Sequence, residues 1–469
     1  MNHRGATVLV VIRAKEFDIY SAVKRAAELR LGVKTVCVTL PALTKTKRAL
    51  DGTFPLDDQM ASNIALKFNL KSPLGTNHAI DHPDLRHLRN NTNKVSNTIV
   101  LGADVAHPTK SAHDATPSIA AVVGSTDDGF MHFPGSMRLQ RSKKEDIVDM
   151  ADMVKERLID WAKKHNDVLP TNMLFYRDGV SESQYDILRR REIPQLQMAM
   201  NMAHRYLKPN STAPMPPAPP APPTAQQLRT VSKKDRDIAQ KRAEEDFADA
   251  VESNPRNIVF NLTFVVVGKR HHTRFYTTTP AQQTRQGQNA NVQPGLAVDQ
   301  VITHPFGTDF YLQSHHAIQG TGRSAHYFVL RNNMRLTIEQ LQNITHTFCY
   351  AYAKATKGVS YCAPAYYADR LCDRGRSYLR QWLQGKPRYG PKPPPDGSQG
   401  GRRQHTGPNP PAETHQQYCD FASDFCQDSP YWRPYLNAPY PGQQAPPQKY
   451  GQPRKNPWHE NLDNIMFYL

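Results

Sequence analysis

Two aspartates sit where apolar runs end: Asp104 closes IVLGAD and Asp178 closes LFYRD. In a sheet covered by helices, reactive groups gather at the carboxyl ends of strands. An Asp after an apolar strand also serves as a turn or helix cap, and for either residue alone that is the favoured reading. Taken as a pair, each followed by loop-forming residues (VAHP and GVSE), they point to a carboxylate site for a hard cation such as Mg²⁺. Two such ions can clamp the attacking and leaving oxygens of a phosphodiester.

Basic residues interleaved with histidine and aromatics form a second group. Lys269–Tyr276 reads KRHHTRFY directly after a long apolar run. Strand-end Lys and Arg can point donors at phosphates, and aromatic neighbours can stack on bases. A solvated strand end explains the same residues equally well. The adjacent pairs His271–His272 and His315–His316 lack the spacing of a zinc motif and read as hydrogen-bonding or phosphate-contacting groups. Tyr20 with Lys24, and Lys67 with Lys71, are each spaced i, i+4 and so share a helix face. These four could converge on one phosphate, or be ordinary surface residues. No Walker A, GxGxxG or GxSxG stretch is present, which argues against an NTPase, a dinucleotide enzyme and an α/β-hydrolase.

The elements that must position these residues alternate between strand and helix patterns. Val8–Arg13 reads as a buried strand and the residues around Tyr20–Leu31 as a helix. Thr98–Val105, Ser118–Gly124, Met131–Leu139, Met173–Arg177, Ile258–Val267 and Ala325–Leu330 read as strands. Ile147, Met150, Val154, Leu158 and Trp161 recur at helical spacing, predicting an amphipathic helix over about 145–165. A further helix follows Ser181. Thr337-x-x-Gln340 is a capping box opening a helix to about Thr356, and a last helix runs from about Ala365 to Leu383. Hairpins first and strand–helix alternation later predict a mixed α/β sheet flanked by helices.

With 469 residues the chain is long enough for two or three domains. Its 59 Lys and Arg against 42 Asp and Glu leave a net charge of +17, which favours a polyanionic partner, nucleic acid before an acidic membrane surface. Six scattered cysteines without a CxxC pair argue against a disulfide framework and a structural zinc site, and fit a reducing compartment. The apolar runs fall far short of the ~20 residues a membrane helix needs. A soluble protein of the cytoplasm, with the nucleus as the alternative, is expected. Of the 38 prolines, eight fall between Pro209 and Pro223 and sixteen between Pro387 and Pro457. Both zones read as disordered surface loops or linkers. The charged run Val231–Glu252 reads as a solvated helix without a continuous apolar stripe.

In order along the chain stand GADVAHP (102–108), PSIAAVVGS (117–125), YRDGVSE (176–182), KRHHTRFY (269–276), SHHAIQGTGRSAHY (314–327) and PAYYAD (364–369). This succession resembles the Argonaute family. The resemblance spans about residues 8–383 apart from an insert at 207–256, and resumes in the closing NLDNIMFYL. It implies a partial Rossmann-like MID domain over 1–95 and a ribonuclease H-like PIWI domain over 96–383 carrying that disordered, charged insert. A Pro/Gly/Gln-rich disordered segment over 384–457 and a tail over 458–469 docking on PIWI complete the division. The resemblance begins inside the MID domain, so the N-terminal and PAZ domains of a full member, and the early MID strands, have no counterpart in it. A fragment, a truncated gene model and a naturally short product all fit that.

The resemblance also implies a function: guide-directed cleavage of RNA. Slicing members carry an Asp-Glu-Asp-Asp/His set, matched by Asp104, Glu145, Asp178 and Asp369, with Asp146 adjacent to the Glu position. Asp104, Asp178 and Asp369 would hold two Mg²⁺, or Mn²⁺, that activate water and stabilise the leaving 3′ oxygen, and Glu145 would hold a water. The products would carry a 3′-hydroxyl and a 5′-phosphate. For the guide's 5′-phosphate, Tyr20 would stack on the first base while Lys24, Lys67, Lys71 and Arg374 bind the phosphate. A position where many relatives carry Gln corresponds to Val36, with Thr35 as the substitute. Lys269, Arg270, Arg274, His315 and Arg323 would contact the guide backbone. The implied partners are a 5′-phosphorylated small guide RNA, a complementary target RNA and proteins of a silencing complex, without a membrane. A scaffold that binds guide RNA and recruits partners without cutting is the competing reading, and an inactive part-chain a third.

Overall fold

The computed structural model describes residues 6–43, 58–72, 75–90, 95–108, 117–140, 143–217, 220, 230–277, 291–317, 320–380 and 456–469. The segment assigned to 384–457 therefore lies outside the described residues, except for its last two positions.

The amino-terminal part is a strand–helix–strand unit. Strand β1 (Thr7–Ile12) runs parallel to β2 (Lys34–Thr39), and helix α1 (Phe17–Lys24) continues into a π-helical stretch, Arg25–Leu31, between them. Gly32, at φ 63°, ends that stretch in the left-handed region that suits glycine. Helix α2 (Asp58–Leu70) packs beside β2. The expectation of a buried first strand is corrected here: Val8, Leu9 and Val11 are 43%, 42% and 47% exposed. Among the described residues β1 pairs with β2 alone and no second layer covers its outer face. Strand β2 escaped the sequence reading because KTVCVT is short and its burial does not alternate strictly.

The larger part is an eight-stranded mixed sheet among the described residues, in the order β5-β4-β3-β6-β7-β10-β9-β8. Its strands are β3 (Thr98–Ala106), β4 (Ser118–Gly124), β5 (Gly135–Gln140), β6 (Asn172–Asp178), β7 (Asn261–Gly268), β8 (Leu296–Val298), β9 (Thr308–Gln313) and β10 (Ala325–Asn332). The antiparallel meander β3-β4-β5 joins two parallel strands, β6 and β7, and β10-β9-β8 closes the other side antiparallel. This is the ribonuclease H-like mixed sheet expected. Strand β5 begins at Gly135 rather than Met131, because the Asp127 carboxylate accepts the Met131 and His132 N–H groups and holds those residues in a turn. Strands β8 and β9 were not anticipated.

Helices cover both faces. On one side α3 (Met150–Lys164) and α4 (Ile193–Leu207) bury Met150, Val154, Leu158 and Leu196 against Leu101, Phe175 and Phe264. On the other lie α6 (Ile338–Tyr350) and α7 (Ala363–Tyr378), numbered after α5 (Lys233–Glu252). The Thr337–Gln340 capping box opens α6 with both reciprocal hydrogen bonds in place. The amino end of α7 lies directly on β3 at Gly102, where a Cβ would fall 2.0 Å from the Pro364 carbonyl oxygen. Any side chain there would push α7, and the residues it carries, off the sheet. Trp458, Leu462, Met466, Phe467 and Tyr468 are buried in the same core, and the Tyr468 hydroxyl donates to the Phe133 carbonyl at 2.6 Å.

The 207–256 insert is not disordered throughout. Its charged run forms α5, which buries Glu244, Ala248 and Val251 against α4. The ordering force is ionic as much as apolar: Glu244 receives Arg190 and Arg191, each at 2.7 Å. Those arginines lie more than fifty residues upstream, so the helix reads as solvated when its own pattern is taken alone.

Candidate nucleic-acid interface

The i, i+4 spacing of α1 puts Tyr20 and Lys24 on one face, with Lys24 Nζ 5.6 Å from the Tyr20 ring centroid. Lys67 and Lys71 repeat that spacing at the end of α2, and Arg374 enters from α7. Together with Lys354 these residues line a cavity of about 260 Å³ between the two parts of the chain. Lys24 donates to the Thr35 carbonyl and hydroxyl oxygens at 2.7 and 2.6 Å, so Thr35 takes part in the pocket beside the apolar Val36. Lys71 donates to the main-chain oxygens of Phe467 and Leu469, the latter at 2.7 Å.

This pocket holds more positive charge than it neutralises. Burial, reinforced by the Arg374 charge, lowers Lys24 to about 8 and drives Lys71 well below the usual range. Burial and the nearby Lys67 and Arg374 lower Lys354 to about 8. Fully buried Glu28 meets Lys24 at 3.3 Å, Arg374 at 2.9 Å and the Tyr378 hydroxyl at 2.6 Å. Burial opposes the Arg374 charge, yet Glu28 holds that guanidinium above its ordinary range. Cations forced together in a desolvated space bind an anion that relieves their repulsion.

The carboxylate site lies where Asp178 ends β6 and where Asp104 stands inside β3, which runs on to Ala106 instead of ending at the aspartate. Their parallel register pairs Ala103 with Arg177, so Asp104 and Asp178 are the next residues on each strand. Gly179, at φ 88°, turns the chain away immediately after Asp178, and a Cβ there would stand 3.2 Å from Asp104 Oδ1. Burial and then the Asp104 charge raise Asp178 to about 8, and burial, with Asp369 adding to it, raises Asp104 to about 6. Asp369, on α7, is held by Arg370 at 3.1 Å and by the Tyr361 hydroxyl at 3.5 Å.

Glu145 stands 2.8 Å from His107 Nε2. Burial works against its charge, but the His107 contact and Arg177 keep it below the usual carboxylate range. Arg177 is fully buried, pairs with Glu192 at 3.1 Å and donates to the Glu145 carbonyl, tying that loop to β6. The neighbouring Asp146 points elsewhere, to Lys144 and Arg191, each at 3.1 Å.

The remaining basic residues divide. Lys269 turns into the carboxylate site, its Nζ 3.2 Å from the Tyr361 ring centroid. Burial lowers it to about 8 despite the attraction of Asp178 and Asp369. Arg270 and Arg323 are exposed at the same edge. His315 is half-buried and shifted down by burial and by Lys269. Arg274 folds back on the His271 and Thr273 carbonyls, at 3.1 and 2.7 Å. Sequence reasoning missed His107, Arg177, Lys354 and Arg370. The first two lie inside the GADVAHP and YRDGVSE segments and could have been singled out there, whereas nothing local marks the other two.

Among the described residues, no group of three or more His, Cys, Asp or Glu side chains is arranged to hold a metal ion. The donor chemistry nonetheless suits a hard divalent cation, because buried Asp104 and half-buried Asp178 are carboxylates whose mutual repulsion such an ion would relieve. Asp369 is paired with Arg370, and its charge still adds to that felt by Asp104 and Asp178.

Among solved structures, the chain is similar to a Kluyveromyces polysporus Argonaute crystallised with a guide RNA, at 26% identity and a TM-score of 0.60 over 80% of this chain and 36% of that one. It is also similar to the C-terminal lobe of a budding yeast Argonaute, at 23% identity and a TM-score of 0.65 over 99% of this chain and 69% of that one. Drosophila Piwi shares the fold at 22% identity and a TM-score of 0.53, over 78% of this chain and 39% of that one. The chain thus spans about a third of the length of the Kluyveromyces polysporus protein. The Piwi domain matches residues 7–212 and 241–380, well over half of the 469, and the chain belongs to that family, among the Argonaute and Piwi proteins.

Proposed function

We propose that this chain binds a 5′-phosphorylated guide RNA and, directed by it, cuts a complementary RNA as an endonuclease of RNA silencing. The observation that carries this reading is one chain holding both a crowded cationic pocket around Lys24, Lys71 and Arg374 and a pair of mutually repelling carboxylates, buried Asp104 and half-buried Asp178. The Argonaute at 26% identity, solved with a guide RNA, supports the guide-binding half.

In this proposal the guide's phosphate takes over donors that Lys24 and Lys71 now give to main-chain and hydroxyl oxygens, and Tyr20 offers its ring to the first base. Asp104 and Asp178, joined by Asp369, would hold Mg²⁺ or Mn²⁺. A bound divalent ion supplies charge stabilisation to the phosphodiester oxygens and activates water. Glu145 holds the water and takes its proton, with His107 orienting the carboxylate. Arg177 fixes the Glu145 loop. Lys269, released from the carboxylates, joins Arg270, His315 and Arg323 along the nucleic-acid backbone. Cleavage leaves a 3′-hydroxyl and a 5′-phosphate.

The position of Lys269 and Asp369 favours a second reading, a scaffold that binds guide RNA, recruits silencing proteins and does not cut. One assay separates the two. The recombinant chain is loaded with 5′-phosphorylated or 5′-hydroxyl guide and given labelled complementary RNA with Mg²⁺, alongside Asp178→Ala. A single cut that vanishes in the variant supports the endonuclease. Preferential binding of the phosphorylated guide without a cut supports the scaffold.

A further inference from the structure

The anion pocket and the carboxylate site meet at one side chain. Arg370 lines the pocket, and its guanidinium also reaches Asp369 at 3.1 Å through Nη2 and Asp373 at 3.1 Å through Nη1. Its Nε is buried without a hydrogen-bond partner, and the guanidinium lies 5.0 Å from the Tyr366 ring centroid. Asp373 lines the same pocket, an acid among cations. Arg370 therefore spends its charge on two carboxylates, one facing each site, and its hold on Asp369 competes with any cation that Asp369 would share with Asp104 and Asp178.

We infer that Arg370 is a positioning residue that couples the two sites: an anion in the pocket draws its guanidinium away from Asp369 and frees that carboxylate for the divalent ion. The inference rests on the proposed reading of both sites. The physical reason is competition for one cation. A phosphate monoester carries close to two charges near neutral pH and offers more acceptor oxygens than a single carboxylate. Arg370 needs only to rotate about its side-chain bonds, since its α7 backbone is pinned to β3 at Gly102. Asp373, left behind, retains Arg376 at 3.7 Å. The device makes metal occupancy depend on guide loading, so that an empty protein holds an incomplete site.

The test measures Mn²⁺ binding to the full chain by electron paramagnetic resonance, without RNA, with a 5′-phosphorylated RNA and with the same RNA ending in a 5′-hydroxyl. The affinity of each RNA is measured in parallel. The expected result is Mn²⁺ binding about tenfold tighter with the phosphorylated RNA than with the hydroxyl form, a size ordinary for coupled sites. Arg370→Met keeps the apolar stem and should bind Mn²⁺ tightly without RNA, with the phosphate effect reduced to less than about twofold. Arg370→Lys, which retains a charge but not the two-pronged contact, should fall between, and thermal melts confirm that both variants fold. A phosphate effect undiminished in Arg370→Met, or absent in the wild type although phosphorylated RNA binds preferentially, overturns the coupling alone. Equal binding of the two RNAs overturns the pocket reading itself, and the coupling with it.

Discussion

Glu28 and Arg374, 346 residues apart in sequence, form a buried 2.9 Å ion pair that ties the amino-terminal unit to helix α7. Glu28 also takes Lys24 and the Tyr378 hydroxyl, so one carboxylate offsets part of the pocket's charge and fastens the two parts together. Glu28→Gln should therefore destabilise the protein by about 3–5 kcal/mol, the usual consequence of leaving a buried charge uncompensated. Chemical denaturation measures it, and a 5′-phosphorylated RNA should restore more stability to the variant than it adds to the wild type.

Lys24 and Lys354 both titrate near 8, lowered from 10.5 mainly by burial. A 5′-phosphate is already close to doubly charged above a pH of about 6, so pH dependence above neutrality reports the lysines. Above pH 8 the free protein holds these amines neutral, and binding must take up protons. The preference for 5′-phosphoryl over 5′-hydroxyl RNA should accordingly fall between pH 7 and 9, read by filter binding. A preference flat across that range would show that neither lysine meets the phosphate.

Lys354 lies in an unmarked stretch between α6 and α7 yet lines the cavity with Lys67 and Lys71. Lys354→Ala should weaken binding of 5′-phosphorylated RNA by about tenfold, the scale of one charge-assisted hydrogen bond. Binding of the 5′-hydroxyl RNA should stay within about twofold, because that contact is absent there. A competition titration of the two RNAs distinguishes this from general loss of affinity.

Burial and the Asp104 charge raise Asp178 to about 8, far above the ordinary carboxylate range. In the unfolded chain it ionises near its ordinary value, so between those limits the folded state binds the extra proton and stability falls as pH rises. Asp178→Asn removes that dependence. In EDTA, its melting temperature should gain on the wild type between pH 5 and 8, and Mg²⁺ should erase the gain by stabilising the wild type alone. A wild-type advantage that grows with pH in EDTA would contradict the raised value.

The sequence by itself determined the parts whose signal is local. The apolar run closed by Asp178 reads as a strand end because a strand's character and its terminal polar residue lie within a few positions, whereas β3 runs on past Asp104 to Ala106. The Thr337–Gln340 cap was legible for the same reason. The i, i+4 pairs Tyr20–Lys24 and Lys67–Lys71 announced shared faces, though not that the faces meet. Only the tertiary structure decided what depends on distant partners. Helix α5 is ordered by Arg190 and Arg191, β1 stays exposed because no covering layer lies on it among the described residues, and Asp369 is paired with Arg370. Lys354 and Arg370 enter the pocket because α7 rests on Gly102 and the closing residues pack beneath it. Burial and charge crowding are properties of that assembly, and they set which carboxylates repel, which lysines give up protons and where an anion is held.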